Sequence, residues 1–289
     1  MRFTSLHNHT SFCDGRDDVE TMCRAAWEKG LAAVGFSAHG PIGRKTGFKT
    51  NWHLPDERLE EYMAAVQAAR QRWEGRLPVY LGLEVDYIRG LVGPADKDIQ
   101  ELGLDYIIAS VHYIIPPGKA GPFTVDGPGE ELEQGIREGF GGDGEAMMAH
   151  YWDAVQEMIS AGGFDILGHV DLVKKNNAGG RWFNPESENY RRKAGETAAA
   201  AARAGVVVEV NTGGINRKKI TETYPSFSIL RLFGEHQVPA IITADAHRAE
   251  DIDGHYQTGR ETLLAAGYTR HLIFEGKKSG RPAWTAEPL

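Results

Sequence analysis

The chain has 289 residues, with 32 Lys and Arg against 40 Asp and Glu, for a formal net charge of −8. That acidic balance argues against a nucleic-acid partner, which asks for a basic excess, but leaves room for a local basic pocket around a small phosphorylated substrate. Two cysteines without a CxxC exclude a disulfide framework, and no apolar run is long enough for a membrane span or a signal peptide, so a cytoplasmic protein is expected.

The first predicted element is a strand over residues 2–9 that carries His7 and His9. Alternate residues of a strand share a face, so both imidazoles point the same way. Alone, the pair fits a polar strand end as well as half a metal site. Cys13, Asp14 and Gly15 follow, then a helix over 18–29 and a strand, AAVGFSAH (32–39), that ends on His39. PDERLEEYMAAVQAARQRWEG predicts a helix over 56–74 with Gly75 as its stop. The strand VYLGLEVDY (79–87) contains Glu84, and YIIASVHY (106–113) closes on His112. Residues 115–143 read as one long irregular loop insertion. A helix over 144–161 leads to the strand DILGHVDL (165–172), which ends in His169 and Asp171. NPESENYRRKAGETAAAAARAG opens with capping residues and stops at Gly205, predicting a helix over 186–204. The strand VVVEVNTG (206–213) carries Glu209 and Asn211. A helix over 226–236 then precedes PAIITADAH (239–247), which ends on Asp245 and His247.

Alternating strands and helices imply parallel strands joined by crossovers, and no linker divides the chain. The expectation is one domain over 1–289, a single α/β barrel of seven strands. In such a barrel the carboxyl ends of the strands converge on one mouth. Each ligand-type residue has an ordinary alternative: a strand-end histidine that is merely hydrogen-bonded, a Glu84 paired with an arginine, an Asp245 capping a helix. All of these would have to hold together at the ends of successive strands, where six of the eleven histidines fall. A shared metal site is the better reading. His53, His150, His236, His255 and His271 receive no role. Imidazole and carboxylate donors suit zinc, manganese or iron, and the donors outnumber the coordination sites of one ion, so two or three ions are expected.

The ordered set His7-x-His9 with Asp14-Gly15, SAHG (37–40), GLEVDY (82–87), SVH (110–112), GHVD (168–171), EVNT (209–212) and DAH (245–247) resembles the PHP (polymerase and histidinol phosphatase) superfamily, and within it the histidinol-phosphate phosphatases. The resemblance implies a distorted (β/α)7 barrel with a trinuclear metal centre at its carboxyl-end mouth. It implies that His7, His9 and Asp245 hold one ion, and that Glu84 bridges to a second ion completed by His112 and His169. Asp14, His39 and His247 would hold a third. It also implies phosphomonoester hydrolysis, most specifically of L-histidinol phosphate in histidine biosynthesis, by attack of a metal-bridging hydroxide. Another phosphate ester or a nucleotide phosphodiester is the alternative substrate, and a non-catalytic metal-binding module the alternative class. Besides Glu84, Asp245 and His247 are the expected catalytic residues, passing a proton to the leaving oxygen. Arg217 and Lys218, just after the sixth strand, are candidates for the substrate phosphate, with Arg181 and Arg248 as further ones. Family members place a basic residue one position earlier, where this chain has Asn216. Cys13 pairs with no second thiol and has no part in this chemistry.

Overall fold

A computed structural model describes residues 2–48, 50–118 and 121–289. Seven parallel strands lie side by side in chain order: β1 (Thr4–Ser5), β2 (Ala33–His39), β3 (Val79–Asp86), β4 (Tyr106–Ser110), β7 (Ile166–Leu167), β8 (Val207–Asn211) and β9 (Ala240–Thr243). Between β4 and β7, β5 (Tyr113–Ile114) and β6 (Phe123–Thr124) form a small antiparallel pair. Just beyond β1, Asn8 bridges Ala246 in parallel, and the His9 N–H donates to the Ala246 carbonyl at 2.8 Å. The first and last strands therefore meet at the mouth, and the sheet is a nearly closed barrel, as the alternation of elements predicts.

The five expected helices are present as Val19–Glu28, Leu59–Arg72, Gly144–Ala161, Glu188–Ala204 and Phe227–Glu235. Local chemistry explains their ends. Ser187 accepts the Tyr190 N–H at 3.2 Å, and Gly205 takes the left-handed conformation (φ 69°) that ends the helix.

Inside the barrel, Leu6, Tyr106, Ile108, Ile166, Val207, Ile241 and Phe274 form a buried cluster. Tyr106 fits because two strand neighbours are glycine. A Cβ at Gly82 would stand 2.5 Å from Tyr106 Cζ, and one at Gly35 2.5 Å from its hydroxyl oxygen. That hydroxyl donates to the Leu6 carbonyl. At the opposite end from the mouth, the antiparallel pair β10 (Arg270–Lys278) and β11 (Arg281–Pro288) sets Phe274 against Tyr80 (4.7 Å between ring centroids) and Trp284 (4.9 Å). Aromatic packing thus closes the floor, and the polar interior opens only at the carboxyl end.

The 115–143 segment is not the irregular loop expected of it. Residues 119–120 lie outside the described part, but β6 and a helix, Gly129–Phe140, occupy most of the rest. Six glycines over 127–142 mimic loop composition. One of them has a packing reason, since a Cβ at Gly135 would stand 2.4 Å from the Phe123 ring. The helix is anchored by buried Leu132 and Ile136, an i, i+4 pair on one face.

Candidate metal centre

Glu84, on β3 at the centre of the mouth, is the hub. Its Oε2 lies 2.9 Å from His39 Nδ1, 3.2 Å from His7 Nε2 and 3.5 Å from His9 Nε2. Its Oε1 lies 2.8 Å from His169 Nε2 and 3.7 Å from His112 Nε2. Asp245 Oδ1 is 3.3 Å from His9 Nε2, and Asp14 Oδ2 is 3.2 Å from His247 Nε2. These residues form four overlapping groups whose donor atoms lie within 4.8 Å of one another: His7, His9 and Asp245; His7, Glu84 and His169; His39, Glu84 and His112; and His9, Asp14, His39 and His247. All nine residues expected as ligands therefore meet at one mouth. His7, His9, His39 and Glu84 each belong to two groups.

The donors are suited to cations they would share. His7 Nε2, His9 Nε2, His39 Nδ1, His169 Nδ1 and Glu84 Oε2 are buried without a hydrogen-bond partner among the described residues. Buried polar atoms are seldom left so, and the His7, His9 and His39 nitrogens within 3.5 Å of Glu84 Oε2 fit a site that divalent ions would complete. His39 Nδ1 stands 2.9 Å from Glu84 Oε2 yet makes no hydrogen bond with it.

A second layer of carboxylates orients the imidazoles. Glu209 Oε1 takes the His7 Nδ1 proton at 2.5 Å and the Thr243 hydroxyl at 2.6 Å, which leaves His7 Nε2 facing Glu84. Its Oε2 accepts the His169 N–H at 2.7 Å and Asn211 Nδ2 at 3.1 Å. Asp86 joins His112 Nδ1 (2.8 Å) to His53 Nε2 (2.7 Å). Asp86 and His53 were not among the predicted site residues. Asp86 carries a readable signal, since it shares the strand face of Glu84 two residues earlier. His53 sits in a loop and carries none.

The charges are strongly coupled. Burial alone would lower His112, but the Asp86 and Glu84 carboxylates outweigh it and lift the imidazole to about 10. Burial, reinforced by His247 and His39, pushes His9 down to about 3. Burial would raise Glu84 and Asp245, yet the imidazoles around Glu84, and Arg217 with His7 around Asp245, hold both well below the usual carboxylate range. Burial, with Asp14 adding to it, raises Cys13 to about 12, so the sulfur 3.5 Å from His9 Nδ1 stays a thiol.

Above these groups opens a cavity of about 560 Å³ whose wall includes Arg217, Lys175 and Lys219. Arg217 donates through Nη2 to Asp245 Oδ2 and through Nη1 to the Asp245 carbonyl, both at 2.8 Å. Lys218 does not line the cavity. It is exposed, with a positive φ of 55° in the turn after β8, and the next residue, Lys219, reaches the wall instead. Arg181 is also absent from the wall: it pairs with Glu133 at 2.8 Å and stacks on Trp182, with 59% of its side chain exposed. Arg248 pairs with Glu250 at 2.6 Å. Lys175, after β7, was not singled out from the sequence, because nothing in a loop's pattern says which way it folds.

Comparison with known proteins agrees with this geometry. The PHP domain family matches residues 5–213. A candidate histidinol-phosphatase of Deinococcus radiodurans is 31% identical over 273 residues, covering 94% of this chain and 96% of its own. The histidinol-phosphatase of Bacillus subtilis is 25% identical, over 87% of this chain and 96% of its own. The crystal structure of a candidate histidinol phosphatase from Listeria monocytogenes superposes with a TM-score of 0.78 at 25% identity, covering 88% of this chain and 99% of that one. The chain belongs to the PHP domain family.

Proposed function

We propose that the chain is a metal-dependent phosphomonoesterase that hydrolyses L-histidinol phosphate to L-histidinol and phosphate. The observation that carries this reading is the convergence of six histidines and three carboxylates, five of their buried atoms unpartnered, on the floor of a cavity whose wall carries Arg217 and Lys219. The names of the relatives that match over nearly their full length support the substrate.

His7, His9 and Asp245, Glu84 with His112 and His169, and Asp14 with His39 and His247 would hold two to three divalent ions of zinc, manganese or iron. When bound, these ions supply Lewis acidity, lowering the pKa of water and neutralising phosphate charge. The protein's own groups do the rest. Arg217, fixed by two hydrogen bonds to Asp245, presents its remaining guanidinium edge to the phosphate, with Lys219 adding positive charge. His247, 21% exposed at the mouth, and Asp245 beside it are placed to pass a proton to the departing alcohol oxygen. Glu209 and Asp86 hold His7 and His112 in the tautomer that turns Nε2 inward.

The test is a steady-state comparison of L-histidinol phosphate with a panel of phosphate esters. A kcat/KM for histidinol phosphate well above that for an aryl phosphate is expected. Equal values would refute the substrate assignment.

A further inference from the structure

The cavity above the metal centre has two chemically opposite sides. Arg217 and Lys219 contribute positive charge to one; Asp126, Glu131, Trp52 and Tyr113 contribute carboxylates and aromatic rings to the other. Phosphate ester chemistry explains the first side and gives no reason for the second. Carboxylates repel a phosphate; Lys175 answers Asp126, but no lysine or arginine among the described residues pairs with Glu131, which leaves that side suited to a cationic occupant.

The acidic side is built rigidly. The Val125 N–H donates to the carbonyl of His112 at 2.9 Å, which ties the segment to a residue of the metal centre. Thr124 donates through its backbone N–H (2.8 Å) and its hydroxyl (2.9 Å) to Glu131 Oε1. Asn176 Nδ2 donates to the Gly127 carbonyl at 2.9 Å, pinning the segment to the loop after β7. Lys175 Nζ donates to Asp126 Oδ2 at 2.8 Å. After all these contacts, no hydrogen bond engages Asp126 Oδ1 or Glu131 Oε2 among the described residues. The aromatic pair adds a flat surface: the Trp52 and Tyr113 rings stack with centroids 5.6 Å apart and planes 12° from parallel.

From this we infer that Asp126 and Glu131 are specificity-determining residues that receive the ammonium group of an amino-alcohol phosphate, with Trp52 and Tyr113 as the surface for its ring. This rests on the phosphatase reading above and deepens it. L-Histidinol phosphate carries a phosphate at one end and both an ammonium and an imidazole at the other. The cationic side with the metal centre takes the first end, and the acidic, aromatic side takes the second. A primary ammonium offers three donors, and the two unengaged carboxylate oxygens accept from it. The aromatic faces attract either an imidazole or an imidazolium.

The experiment uses three substrates on the metal-loaded enzyme: L-histidinol phosphate, its des-amino analogue 3-(imidazol-4-yl)propyl phosphate, and p-nitrophenyl phosphate. The wild type is expected to prefer histidinol phosphate to the des-amino ester by about tenfold or more in kcat/KM, the worth of one charge-assisted hydrogen bond. In Asp126→Asn and Glu131→Gln that ratio is expected to fall by about tenfold or more, mainly through KM for the amine-bearing ester. A general disturbance of the loop would lower both esters together and leave the ratio unmoved, which overturns the inference. A wild type that prefers histidinol phosphate to the aryl ester but treats the des-amino analogue equally also overturns it, without need of the variants, and leaves the phosphatase reading standing. A wild type that handles all three esters alike overturns that reading and this inference with it.

Discussion

Glu209→Gln tests the reasoning about the second layer. Glu209 is fully buried, and each carboxylate oxygen accepts two hydrogen bonds: Oε1 from His7 Nδ1 and the Thr243 hydroxyl, Oε2 from the His169 backbone N–H and Asn211 Nδ2. Glutamine keeps the shape but replaces one acceptor with an NH2 group, so either amide orientation sets a donor against two donors. The orientation that preserves the bond to His7 strands the His169 N–H, which belongs to the backbone and cannot turn away. A buried unsatisfied donor costs ~1–3 kcal/mol, and the remaining bonds lose their charge assistance, so a loss of about 3 kcal/mol is expected. For a chain of this size that corresponds to a fall of about 6–12 °C in the Tm of the metal-free protein. Metal affinity is expected to fall about 10–100-fold, because His7 loses the partner that fixes its tautomer. Calorimetry of the metal-free protein reads the first effect, and competition with a chromophoric chelator reads the second. A Tm unchanged within about 1 °C together with unaltered affinity would refute the assignment of Glu209 as the anchor of His7.

Three further outcomes follow from the same geometry. Gly15→Ala would place a Cβ 2.4 Å from His9 C and Thr10 N, both backbone atoms, so the turn carrying Asp14 must shift; overpacking predicts a loss of ~1–3 kcal/mol by thermal unfolding, with fewer metal equivalents bound. Arg217→Lys keeps the charge but loses the fork that spans Asp245 Oδ2 and the Asp245 carbonyl, and KM for phosphate esters should rise about tenfold in initial-rate assays. In the metal-free protein, folding raises His112 from the usual histidine range to about 10, so its contribution to stability is complete below roughly pH 6.5 and is lost as pH rises towards 10. The Tm of the metal-free protein should therefore fall over that range, while the stabilisation conferred by added metal grows as fewer protons compete for the imidazoles; calorimetry with and without metal checks both signs.

The barrel and the candidate ligands at its mouth were legible because two periodicities carry them. The strand period of two puts His7 with His9 on one face, and the alternation of strand and helix sends His39, Glu84, His112, His169, Asp245 and His247 to one end. The same parity would have revealed Asp86 beside Glu84, yet an aspartate near a strand end has too many ordinary uses to stand out. What was not legible came from segments without a period. His53 enters the second layer, and Lys175 and Lys219 the wall, from loops whose course depends on tertiary contacts. The positive φ at Lys218 shows how little decides such a placement: one residue further on, the side chain reaches the cavity. The helix Gly129–Phe140 was hidden by its glycines, at least one of which is there to let the Phe123 ring approach.

Metal titration tests the account's central claim, that nine converging side chains hold a multinuclear centre which turns over a phosphate monoester. Chelator-stripped protein is titrated with manganese, zinc or iron(II) while phosphate release from L-histidinol phosphate is followed. The account predicts no turnover without metal and activity that saturates at about two to three equivalents per chain. Full activity in the stripped protein, or saturation at one equivalent, would contradict it.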